Sequence, residues 1–193
     1  MSELLETKAA LEQDLLLTAI SNDTLDSLMS AESKYLRDAR MNLSAFQRSK
    51  EINKKEQALV ALAISNNNHN ALLQKAFTAR AQAEGATAAE IADTLACASV
   101  MSANNILYRF RHFMSKETYD RMPAGMRMQV MLNPSVGKEF FELLSLAISA
   151  VNGCEMCVRA HESSLLKLGT SEARIFEAVK LAAVVSSLGT LVY

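Results

Sequence analysis

The chain has 193 residues, half of them hydrophobic, with 2 Pro, 6 Gly and no Trp. That is enough for one ordinary domain, or for two small halves sharing a core, and at 21% charged it holds too much apolar material to stay disordered. Twenty basic residues against 21 acidic ones leave a net charge of −1, so no positive field draws in nucleic acid or anionic lipid.

So little Pro and Gly gives few tight turns for a sandwich or barrel, and the expected fold is all-α. The N-terminal stretch MSELLETKAALEQ is acidic and lacks the basic start and apolar run of a secretory signal, which points to a cytoplasmic protein. Helical periodicity appears over residues 3–18, 30–43, 54–67, 69–84, 88–113, 138–151, 155–168 and 172–190. Between the fifth and sixth of these, Ser115 to Ser135 carries Pro123, Pro134 and Gly125 among Met122, Met126, Met128 and Met131, and reads as a crossover with at most a short helix. Ile175 to Tyr193 is the most apolar stretch, but Glu177 and Lys180 interrupt it below the ~20 residues a bilayer span needs, so no membrane partner is expected.

An internal repeat organises these segments. Residues 54–107 slide by 84 positions onto 138–191 without a gap, and Leu62-Ala63-Ile64-Ser65 falls on Leu146-Ala147-Ile148-Ser149 while Gly85 falls on Gly169. Each copy reads as helix, turn, helix, a Gly stop and a third helix opened by Thr87 or Ser171. The chain then divides into an N-terminal helical extension (1–50), a first repeat (54–107), a crossover (108–137) and a second repeat (138–191) within one domain.

The two copies share a packing plan, so chemical differences between them separate a site from the scaffold. Where the first copy has Ala58, Asn70, Leu73 and Phe77, the second has Glu142, Cys154, Cys157 and His161. The first copy is therefore expected to be catalytically silent. Asn152-Gly153 is a turn signal, which puts Cys154-Glu155-Met156-Cys157 in the first turn of a helix, where free N–H groups and the macrodipole favour a thiolate. Cys157 and His161 are four apart and share a helix face. At ~1.5 Å per residue, Glu142 and His161 lie ~15 and ~12 Å from the hairpin tip on opposite arms, so antiparallel packing brings them together. A carboxylate on an otherwise apolar helix needs such a partner. Glu, His and Cys then form an activated-nucleophile chain. The dipole favours Cys154 as the nucleophile and the base favours Cys157, so these arguments leave the choice open.

The joint pattern of Glu142, eleven intervening residues, Cys154-x-x-Cys157, three more residues and His161 resembles the alkyl hydroperoxidase D (AhpD) family, within the wider carboxymuconolactone-decarboxylase-like superfamily. The resemblance continues through Asn104-Asn105-Ile106-Leu107-Tyr108-Arg109-Phe110-Arg111-His112, Met122 to Met128 and Asn133-Pro134, and so covers most of the chain. It implies two tandem AhpD-like helical repeats and an antioxidant, thiol-dependent alkyl hydroperoxide reductase. By resemblance, Cys157 is the peroxidatic nucleophile and passes through a sulfenic acid. Cys154 is the resolving cysteine and a proton donor, closing a Cys154–Cys157 disulfide. His161 is the general base, and Glu142 orients it in a proton relay. The resemblance also implies no bound cofactor, an external lipoyl dithiol from a dehydrogenase component as reductant, a peroxiredoxin partner (alkyl hydroperoxide reductase C) and a homotrimer. Some members have a second histidine where this chain has Met156. The alternative reading is a dithiol adaptor that passes electrons to a peroxiredoxin with little peroxidase activity of its own.

Plainer roles fit other conspicuous residues. Cys97 lies on an apolar helix and aligns with Leu181, as a small buried hydrophobe would. His69, after three asparagines in the silent copy, suits a cap or the surface. Arg109 to His112 reads as an aromatic that packs between arginines paired with acidic neighbours. Two Cys, a His and a Glu are also a donor set for zinc, and the methionines of the crossover fit either packing or an entry for apolar peroxides.

Overall fold

The computed structural model describes residues 2–193, and Met1, the first residue of the expected extension, lies outside them. Among the described residues there are helices α1 (Ser2–Asp14), α2 (Asp23–Ser30), α3 (Tyr35–Ala45), α4 (Lys54–Asn67), α5 (Ala71–Ala83), α6 (Ala88–Met114), α7 (Glu117–Arg121), α8 (Lys138–Val151), α9 (Glu155–Lys167) and α10 (Glu172–Leu188), and no strand. Single 3-10 turns at Phe46–Arg48 and Gln129–Met131 precede α4 and α8. The expected all-α fold of two tandem repeats is the observed one. None of these helices is long and apolar enough to cross a membrane.

Local chemistry explains where the helices start and stop. Asn53 and Thr87 open α4 and α6 with full capping boxes, closed by Glu56 and Glu90, and Ser171 caps α10. Two differences from the sequence reading lie in the N-terminal segment. Helix α1 stops at Asp14 rather than 18, because Leu16 turns left-handed (φ 55°) and the Leu17 amide reaches back to the Glu12 carbonyl. A leucine in that role leaves no sequence signal. Helix α2 is too short to show a period, but the Asn22 side chain accepts from the Leu25 amide and donates to the Leu191 carbonyl, tying it to the C-terminal tail.

Packing centres on α4 and α8. Ala58 to Ser65 form an unbroken buried run, as do Phe140 to Ser149 except Glu142. Burying side chains such as Leu62, Ile64, Leu144 and Ile148 contributes roughly 1.5–3 kcal/mol each. Each central helix forms a hairpin with the helix after it, α4 with α5 and α8 with α9. The third helix of each copy spans both copies: α6 packs on α4, α8 and α9, and α10 on α4 and α8. The first copy's long helix is therefore a wall of the second copy's hairpin.

One polar feature obeys the repeat with its charges exchanged. Lys55 pairs with Glu90 at 2.7 Å, and at the equivalent positions Glu139 pairs with Arg174 at 3.0 Å. Arg174 also grips both oxygens of Glu56 and the Glu51 carbonyl, joining α4, α8 and α10. Burial opposes ionisation of Glu139, but hydrogen bonds from Arg174 and Thr170 outweigh it and hold the carboxyl below its usual range. Hydrogen bonding to Glu56 raises the Arg174 pKa further, against burial.

Candidate active site

The α8–α9 turn presents the cysteines. Helix α8 ends in a Schellman motif: the Cys154 amide bonds the Ser149 carbonyl, the Gly153 amide bonds that of Ala150, and Gly153 sits at φ 68°. The first copy builds the same turn, with Asn70 and His69 donating to Ser65 and Asn66 and His69 at φ 56°. His69 thus serves as the left-handed helix stop. The residue after the turn sets the copies apart. The Asn70 side chain caps α5 by accepting from Leu73 and holds the C-terminal tail through the Gly189 and Val192 carbonyls. Cys154, in the equivalent place, makes no side-chain cap.

Cys154 and Cys157 are joined as a disulfide, with their Cα atoms 5.3 Å apart. Cys154 is fully buried. Cys157, 6% exposed, lines a cleft of ≈ 310 Å³ between α6, α9 and the crossover, and His161 lies in the same wall one turn on. Met128, Met131, Met156 and Tyr108 make most of the lining apolar. On the other arm, Glu142 Oε2 stands 2.7 Å from His161 Nδ1, and both side chains are largely shielded, at 16% and 13% exposure. An ionised Glu142 accepts the Nδ1 proton and so leaves Nε2 as the nitrogen free to exchange one. The residues singled out by the repeat comparison therefore converge on one place, with Cys154 set behind Cys157.

Several groups to which the sequence assigned no part in the site support it. Asn152, the last residue before Gly153, exchanges amide hydrogen bonds with Asn67 of α4 (2.9 and 3.1 Å) and donates to Asn105 of α6 (2.9 Å). Asn105 in turn donates to Ser149, and Arg109 donates to the Asn152 carbonyl. The cysteine-bearing turn is thus clamped to two helices of the other copy. Asn104, the neighbour of Asn105, lines the cleft itself. The available signal was the Asn104-Asn105 pair, aligned with Leu188-Gly189.

The arginines do not pair with acidic residues as expected. Arg109 and Arg111 donate to the carbonyls of Asn152 and Met122, while His112 stands 3.6 Å from Glu155 and Phe110 meets Tyr119 edge-on. For both arginines a backbone carbonyl, at the turn or in the crossover, takes the place of a carboxylate. Cys97 is fully buried on α6 beside Ser145, and burial pushes its thiol up to about 12. Among the described residues, no three His, Cys, Asp or Glu side chains are grouped to hold a metal ion.

The comparisons with known proteins also divide the chain into two similar halves. The family model described as Carboxymuconolactone decarboxylase family matches residues 35–113 and again 117–191, and the chain belongs to that family. Within it, the chain is similar to proteins named alkyl hydroperoxide reductase AhpD. That of Anaeromyxobacter sp. (strain K) is 42% identical over 161 residues, covering 83% of this chain and 86% of its own length. Those of Methylobacterium sp. (strain 4-46) and Rhodopseudomonas palustris (strain BisB18) are 39% and 38% identical, each over 86% of this chain. Both family matches begin upstream of the gapless repeat and take in the 3-10 turn before each central helix.

Proposed function

We propose that this protein is an antioxidant, thiol-dependent alkyl hydroperoxide reductase whose nucleophile is Cys157. The observation that carries this reading is access: Cys157 lines the apolar cleft beside His161, whereas Cys154 is buried behind it. A hydroperoxide entering the cleft meets Cys157 first. That favours Cys157 where dipole and base arguments are balanced.

In the reduced protein, His161 held by Glu142 takes the Cys157 thiol proton through Nε2. The thiolate attacks the distal peroxide oxygen, forming an S–O bond as the O–O bond breaks, and the alkoxide leaves as alcohol with the proton His161 returns. Cys154 then condenses with the sulfenic acid, water departs, and the disulfide forms. A lipoyl dithiol on a dehydrogenase component reduces it by exchange, and the regenerated Cys154 and Cys157 thiols also reduce a peroxiredoxin of the alkyl hydroperoxide reductase C type. We place this chemistry in the cytoplasm and in a homotrimer. Ile106, Phe110 and Phe113, on α6 and 63%, 44% and 74% exposed, supply an apolar face for such an assembly.

Stopped-flow oxidation of the reduced protein by organic hydroperoxides, followed by reduction with dihydrolipoamide, tests the proposal. Wild type is expected to be oxidised in a single turnover without a peroxiredoxin present, and Cys157→Ser to be inert. Oxidation only through a peroxiredoxin would establish the dithiol adaptor instead. One tightly held zinc per chain in protein purified without chelator would overturn both.

A further inference from the structure

A residue in the wall of the cleft carries a buried polar atom with no partner. Asn104 of α6 is 7% exposed, and its Nδ2 donates to the Met128 sulfur at 3.0 Å. A thioether only accepts, so the amide nitrogen belongs on that side. The carbonyl oxygen, Oδ1, is left buried and is the one such side-chain atom among the described residues without a hydrogen bond. An unsatisfied buried acceptor is costly, and a fold retains one where a ligand satisfies it.

The repeat shows that the scaffold does not need the amide. The equivalent position on α10 is Leu188, a side chain of similar size and 1% exposed. Asn104 departs from the packing plan just as Glu142, Cys157 and His161 do, and it lines the same cleft as the last two.

We propose that Asn104 Oδ1 accepts the hydrogen bond of a neutral organic hydroperoxide and holds the reacting oxygen toward Cys157. This rests on the peroxide-reducing reading above and names the substrate contact within it. A lone acceptor selects a donor, so the cleft binds the protonated R–O–O–H and disfavours an anionic head. The R group lies against Met128, Met131 and Met156, whose unbranched chains shift to admit it. As the S–O bond forms and the O–O bond breaks, the distal oxygen keeps its hydrogen and becomes the sulfenic S–O–H, still donating to Oδ1. The alkoxide takes its proton from His161, and two electrons pass from sulfur to the peroxide.

The test compares wild type with Asn104→Leu, the residue of the repeat, and with Asn104→Ala in case leucine crowds the cleft. Three quantities are measured: thermal stability, the rate of oxidation of the reduced protein by cumene hydroperoxide, and the rate of disulfide reduction by dihydrolipoamide. The expected result is oxidation slowed roughly 10–100-fold, with disulfide reduction unchanged and the melting temperature of Asn104→Leu equal to or above that of wild type. Unchanged oxidation in both variants would overturn the proposal, and so would an equal slowing of oxidation and disulfide reduction. Wild type inert to hydroperoxide would overturn the proposed function itself, which separates the two failures.

Discussion

The three cysteines differ in what surrounds each sulfur. Cys97 lies against Ser145 in the core, with its thiol pushed up to about 12 by burial, so it stays protonated and unreactive at neutral pH. Alkylation of the reduced, native protein is expected to label Cys157, which lines the cleft, and to reach the fully buried Cys97 only in denaturant, as peptide mass spectrometry would show. Glu142→Gln keeps the shape of the side chain and removes the charge that fixes His161. Oxidation of Cys157 should slow by roughly 10²–10⁴-fold, while the circular dichroism spectrum and melting temperature stay close to wild type, since the first copy packs an alanine there. A melting temperature lowered in step with activity would show instead that the carboxylate is structural. Backbone conformation matters at Gly153, where φ is 68° and a Cβ would find open space, with no other group within 4 Å. Gly153→Ala should cost about 1–2 kcal/mol from the left-handed geometry alone, read from urea denaturation. His69 already carries that penalty in the first copy, so His69→Gly should stabilise the protein by a similar order.

At the level of elements, the ion cluster on Arg174 and the amide clamp on Asn152 fasten one copy to the other. Removing Arg174 leaves Glu56 and Glu139 facing each other without a cation. Arg174→Met is expected to cost roughly 2–3 kcal/mol, below the ~3–5 kcal/mol of a fully buried pair because the cluster is partly exposed. The Glu139 carboxyl is depressed from its ordinary 4.5, so its contribution is present above that value and is lost as the pH falls through the lower folded value. The gap in melting temperature between wild type and Arg174→Met should therefore narrow as the pH is lowered from neutral into the acid range; a gap that does not narrow would place the stabilisation elsewhere. The helices were legible in the sequence where the helical period runs unbroken: α4 and α8 fall over residues 54–67 and 138–151 as expected. The N-terminal segment was not, because a leucine supplies the stop of α1, and α2 is held by Asn22 through a cap and a contact with the C-terminal tail.

Across the whole molecule, two copies of one helical unit share a core, and the third helix of each crosses to the other. The gapless repeat, and the replacement of Ala58, Asn70, Leu73 and Phe77 by Glu142, Cys154, Cys157 and His161, can be read from order and residue type alone. Helical hairpins obey local periodicity, so sequence spacing was enough to predict that Glu142 meets His161. Which cysteine faces the cleft, and that Asn104 stands in its wall, depends on α6 packing against α8 and α9. That contact joins residues some fifty positions apart across a crossover, through side-chain volume and buried hydrogen bonding rather than any periodic signal. The sequence by itself determined the fold class and the copy in which Glu142, Cys154, Cys157 and His161 replace scaffold residues; only the tertiary structure decided which sulfur faces the cleft, the clamp on its turn and the unpaired oxygen of Asn104 in the cleft wall.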